Sequence, residues 1–106
     1  MQDLANLLKA RGIALTVVVY PYGAQISDNR LANRQIDIYR DFCALNCSKF
    51  INLFPTFFAA ANADADWRTD YFLTNDFHYN ANGNRLVFKE LVKQLLPPRK
   101  ASTAFR

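Results

Sequence analysis

Apolar residues recur at helical spacing at both ends of this chain and run nearly unbroken through two short stretches between them. Gln2 to Arg11 reads as a short helix with Leu4, Leu7 and Leu8 on one face. Lys9 and Arg11 lie near its C-terminal end, and Gly12 stands where a C-cap glycine belongs. Ile13 to Tyr20 is apolar except for Thr16 and rich in β-branched side chains. Such a run fits a strand buried on both faces, as in a parallel sheet, and Pro21-Tyr22-Gly23 stops it. Ser27 or Asp28 is placed to cap a second helix from about Arg30 to Leu45. Ala32, Ile36, Tyr39 and Cys43 recur there at helical spacing, with Arg30, Arg34, Asp37 and Asp41 on the wet face. Phe50 to Phe54 reads as a second strand, closed by Pro55. Thr56 to Ala63 reads as a short helix, and Asn62 to Asp70 as a polar loop around Trp67. Asn80 is placed to cap the clearest element, a helix from Ala81 to Leu96. Its stripe is Leu86, Val87, Leu91 and Leu95, flanked by Phe88 and Val92, and Pro97-Pro98 ends it.

Helix followed by strand, twice over, is the rhythm of an α/β fold with a parallel sheet and crossover helices, an α/β/α arrangement of flavodoxin-like type closed by the C-terminal helix. At 106 residues and 51% hydrophobic content the chain suits one small soluble unit and not two. The expected organisation is one α/β unit over residues 1–96 and a disordered basic tail over 97–106. No apolar run approaches the ~20 residues of a membrane helix, so no membrane segment is expected. The formal charge is +4, but Arg99, Lys100 and Arg106 all lie in the tail; without them ten basic residues face nine acidic ones. The body is nearly neutral and its basic residues are scattered, which argues against a nucleic-acid partner, because such binding needs a concentrated basic face.

Cys43 and Cys47 are the only cysteines. Four apart on a helix, they share a face and their α-carbons fall within disulfide range, roughly 6 Å apart. Regular helical geometry aims the sulfurs poorly, so a bridge requires the helix to end near Asn46. The favoured reading is two thiols packing as small hydrophobes, with a disulfide as the alternative. Two cysteines and one histidine cannot furnish four zinc ligands without carboxylates. Asp64, Asp66 and Asp70 lack the glycine and closing glutamate of a calcium loop and read as a solvated acidic loop. No metal and no cofactor is expected. The aromatic cluster Phe50, Phe54, Phe57 and Phe58 reads as core.

The one histidine, His78, sits in a polar loop just before the last helix, with Asp76 two residues upstream. A catalytic imidazole needs a partner that fixes its tautomer and stabilises the imidazolium as it forms. Asp76 can accept from one ring nitrogen, leaving the other to take a proton from a hydroxyl nucleophile; the bland alternative is a structural loop histidine. Tyr22 and Trp67 are candidates to line a substrate groove, since aromatic faces stack on sugars, with core or rim packing as the alternative.

The segment Asp76-Phe77-His78-Tyr79-Asn80-Ala81-Asn82-Gly83-Asn84-Arg85-Leu86-Val87 resembles the last block of the SGNH/GDSL hydrolases. That block carries an acid and a histidine in a loop, then a pattern like H-x-N-x-x-G-[HN]-x-x-[VIL] opening the C-terminal helix. His78, Asn80, Gly83, Asn84 and Val87 occupy those places. The opening helix, Gly12 and the run from Ile13 to Pro21 resemble the strand that follows the family's mid-domain crossover helix. The resemblance implies His78 as general base, Asp76 as its orienting acid and Asn80 as a substrate-site residue. It also implies an ester substrate, such as an acylated carbohydrate.

Two departures accompany it. The usual acid lies three residues before the histidine, where this chain has Asn75; relatives with Asp-x-His keep Asp76 as the candidate. The family's Gly-Asp-Ser nucleophile block and its oxyanion-hole glycine and asparagine have no counterpart here. The resemblance therefore covers Gln2 to Leu96 as the C-terminal half of such a domain, with the missing half, or self-association, completing it. Among the serines, Ser27 follows the first strand but reads as a helix cap, Ser48 precedes a strand, and Ser102 is in the tail. None has a nucleophile's context. The contrasting expectation is a non-catalytic α/β remnant that binds or dimerises through an exposed sheet edge and aromatics.

Overall fold

A computed structural model describes residues 1–96, and the basic tail expected at 97–106 lies outside the described residues. The fold is mixed α/β, with six helices and a two-stranded parallel sheet among those residues. In chain order the elements are α1 (Gln2–Ala10), β1 (Thr16–Val19), α2 (Gly23–Ser27), α3 (Arg34–Asn46), β2 (Lys49–Asn52), α4 (Phe54–Ala63), α5 (Trp67–Tyr71) and α6 (Ala81–Leu95). No described helix is long and apolar enough to cross a membrane.

α1 ends as its sequence dictates. Gly12 takes a φ of +69°, the Ile13 amide donates to the Leu8 carbonyl and the Gly12 amide to that of Lys9, which together close a Schellman turn. The amphipathic face is laid down differently from its pattern. Ala5 is buried, while Leu4 and Leu7 are exposed. Periodicity reports that a helix has an apolar face and says nothing about how much of that face the rest of the chain covers.

β1 is shorter than the apolar run that contains it, and Ile13 is exposed. It pairs in parallel with β2, Val17 opposite Phe50 and Val18 opposite Ile51. Val19 is buried but Val17 and Val18 are only half-buried, because two strands present too little sheet for both faces to be covered. Parallel pairing demands a crossover of a dozen residues or more, which α2 and α3 supply.

That crossover corrects two expectations. The helix expected from Arg30 begins at Arg34, and its cap is Asn33, whose Oδ1 accepts from the Ile36 amide at 3.1 Å. Ser27 and Asp28 instead close the separate five-residue α2, which ends in a second Schellman turn with Asn29 at φ 57°. α3 stops at Asn46 and Cys47 is already extended. That break lets Cys43 and Cys47 form a disulfide, with α-carbons 4.5 Å apart. The packed-thiol reading is overturned for this reason.

The core gathers around β2 and α4. Ile51, Leu53 and Phe54 are fully buried, and Phe57, Phe58 and Phe72 nearly so. Asn52 Oδ1 accepts from the Phe54 amide at 3.0 Å, and Pro55 sits in the first turn of α4, where its missing N–H costs nothing. The region expected as a loop around Trp67 contains α5, a single short helix packed against α4 and α6.

Candidate functional site

The site is built at the tip of a tight chain reversal between α5 and α6. The Asn80 amide donates to the Tyr71 carbonyl at 3.0 Å and the Leu73 amide to that of His78 at 3.0 Å, so Phe72 and Tyr79 bridge antiparallel. Within the reversal the Asp76 amide donates to the Leu73 carbonyl, and Asn75 takes a φ of 56°, a left-handed conformation that asparagine tolerates well.

Asp76 and His78 are held together twice. The His78 backbone amide donates to Asp76 Oδ1 at 3.0 Å, and Nδ1 of the ring lies 2.7 Å from the same oxygen. An ionised carboxylate only accepts, so Nδ1 carries the hydrogen and Nε2 of the neutral ring is the acceptor. Nε2 has no hydrogen-bond partner among the described residues. The backbone N–H of His78, followed by its side chain, holds the Asp76 carboxyl below its ordinary value of 3.8. The Phe77 ring stacks on the imidazole with centroids 4.4 Å apart, and meets Tyr22 edge-on at 5.8 Å.

Tyr79 fixes this reversal to the sheet. Its hydroxyl donates to the carbonyl of Pro21, just past β1, at 2.8 Å, and its ring stacks on Phe57 with centroids 4.6 Å apart. Burial raises its pKa well above the ordinary 10.0. Asn80 caps α6: its Oδ1 accepts from the Gly83 amide, and its amide group donates to the carbonyls of Thr69 and Phe72. The Asn80 side chain thus serves three backbone groups. Gly83 is required by contact: a Cβ there would lie 2.2 Å from the Tyr71 carbonyl oxygen.

A groove of about 950 Å³ opens between this reversal, α2 and α5, and its lining includes Tyr22, Trp67, Arg68, Asp76, Phe77 and His78. The chain matches no family model, no curated protein and no solved structure. The geometry of the groove is therefore what speaks for its chemistry. Four residues singled out in the sequence, Tyr22, Trp67, Asp76 and His78, line this one groove although they span most of the described chain. It lies beyond the C-terminal end of β1, where parallel sheets gather ligands.

Sequence reasoning missed Phe77 and Arg68. Phe77 had a signal in its position beside His78. Arg68 had none, because its place depends on the unanticipated α5. Ser27 Oγ donates to the Gly23 carbonyl at 3.1 Å and accepts from the Arg68 guanidinium. Ser48 Oγ donates to the Leu15 carbonyl at 3.1 Å, before β2. Neither serine is bonded to His78. Asp70 lies on α5, and the neighbouring Asp64 side chain raises its pKa above the ordinary 3.8. Among the described residues no three metal-ligating side chains converge.

Proposed function

We propose that this chain is the C-terminal half of an SGNH/GDSL-type ester hydrolase, with His78 as general base and Asp76 as its orienting acid. The observation that carries the reading is the 2.7 Å contact between Asp76 Oδ1 and His78 Nδ1 in the wall of an aromatic groove. It is supported by the parallel β1–β2 pair, which further strands would extend into a flavodoxin-like sheet, and by the Asn80 cap and contact-limited Gly83 that open α6. In this reading a serine from outside the chain attacks the ester carbonyl while His78 Nε2 takes its hydroxyl proton. Asp76 stabilises the imidazolium, which then returns the proton to the departing alcohol.

The test is hydrolysis of 4-nitrophenyl acetate by the 106-residue chain and by the same chain extended through any coding sequence upstream of Met1. The chain alone is expected to give no turnover, because no serine among the described residues is placed against His78. The extended protein is expected to hydrolyse the ester and to lose about a thousandfold or more in kcat with His78→Ala. Turnover that survives His78→Ala, or an inactive extended protein, ends the reading.

A second reading, a non-catalytic module that dimerises, is favoured by the uncovered apolar side chains of α1 and by a sheet open along both edges. Light scattering of the isolated chain decides it: a stable dimer combined with an inactive extended protein selects this reading.

A further inference from the structure

The groove has a charge that its chemistry at His78 does not use. Arg68 lies in its wall with the guanidinium 4.6 Å from the Trp67 ring centroid, donates to Ser27 Oγ, and makes no ion pair among the described residues. The single carboxylate in the lining, Asp76, is occupied by the two hydrogen bonds from His78. The remaining walls are dominated by rings: Tyr22 and Phe77 meet edge to face, and Trp67 stands over Gly23, whose missing side chain leaves room beside it. Besides Arg68, Asp76 and His78, the polar side chains of the lining are Thr69, Thr74 and Asn75, and the Thr69 hydroxyl is already bonded to the Asp66 carbonyl.

We propose that the groove holds a planar aromatic acid, with its carboxylate on Arg68 and its ring among Tyr22, Trp67 and Phe77. This rests on the ester-hydrolase reading of the same groove in one respect: the acid is part of the ester, so the substrate is an anionic aryl ester in place of a neutral or glycosidic one. Arg68 is then a specificity-determining residue. A guanidinium is suited to this because its planar fork matches a carboxylate and it stacks on indole without losing its donors.

Trp67 is the only tryptophan in the chain, so its fluorescence reports occupancy of the groove directly. The experiment titrates the 106-residue chain with benzoate, benzamide and glucuronate at about pH 8, where benzoate is ionised. Benzoate is expected to perturb Trp67 saturably and to bind about fivefold tighter than benzamide, the effect of one partly exposed ion pair. Arg68→Gln should remove that difference, and Arg68→Lys should restore part of it. Circular dichroism of each variant establishes that it is folded. Equal binding of benzoate and benzamide, no effect of Arg68→Gln, or glucuronate binding tighter than benzoate each overturns the proposal. No turnover is read, so the two readings fail separately. Benzoate held through Arg68 beside an inactive extended protein removes only the hydrolase, whereas His78-dependent hydrolysis with binding indifferent to Arg68 removes only the aromatic acid.

Discussion

The region around α4 and the outer face of α1 both carry large apolar side chains, and these meet opposite fates. Around α4, Leu53 and Phe54 are fully buried, Phe57 is 1% exposed, and the rings of Phe57, Phe72 and Tyr79 lock into one another. On α1, Leu7 remains 51% exposed, and at the end of α3 Leu45 is 87% exposed. The first region is a finished core to which the site is bolted. The second is apolar surface that the other described residues leave largely uncovered. Burial, and not hydrophobic pattern, therefore decides where stability resides, at about 25 cal/mol for each Å² removed from water.

Cavity formation provides the largest test of that contrast. Phe57→Ala should cost about 3–5 kcal/mol, a large part of the 5–15 kcal/mol typical of a folded domain. Leu7→Ala should stay within about 0.5 kcal/mol. Urea unfolding of both variants checks the pair, and comparable losses would mean that α1 is covered in solution. Gly83→Ala comes next. The added methyl has to displace the Tyr71 carbonyl and Tyr79 Cβ, both backbone-anchored, so roughly 1–3 kcal/mol of overpacking is expected. The same shift would loosen the Asn80 cap and the reversal that carries His78. The NMR signals of His78 should therefore move in this variant and stay fixed in Leu7→Ala.

What could be read from the sequence follows the same division between local and remote causes. The α6 helix and its Asn80 cap are legible because cap, period and terminating prolines all lie within one stretch. The Asp76–His78 pair is legible because both hydrogen bonds span only two residues. The limits of β1 were not, since only the short β2 beside it determines how much of the apolar run is paired. α2 and α5 are five residues each, too short to show a period, and with α5 went the position of Arg68. The disulfide turned on a single local event, the end of α3 at Asn46, which spacing alone does not announce. The exposure of Leu4 and Leu7 depends on what does not pack over them, and no stretch of sequence records that.

A smaller effect than these packing losses tests how the finished core is tied to the sheet. Tyr79 faces Phe57 with its ring and Pro21 with its hydroxyl, so it connects the finished core to the exit of β1 beside the groove. Tyr79→Phe keeps the ring and removes the hydrogen bond, leaving the Pro21 carbonyl without that donor, a loss of about 1 kcal/mol at neutral pH. The pH dependence separates the hydroxyl from the packing. Burial raises this phenol above its ordinary 10.0 in the folded chain, with Tyr20 and Tyr22 adding to the shift. The folded state thus holds the proton more tightly than the unfolded state. The resulting stabilisation is complete below about pH 10 and is lost as the pH rises from there toward the folded-state value. Wild-type stability should therefore fall more steeply than that of Tyr79→Phe in alkaline solution, and the gap between them should narrow. A constant gap in urea unfolding measured on both sides of pH 10 would mean that the hydroxyl stays wet, and that the reversal bearing His78 is held to β1 by its aromatic ring alone.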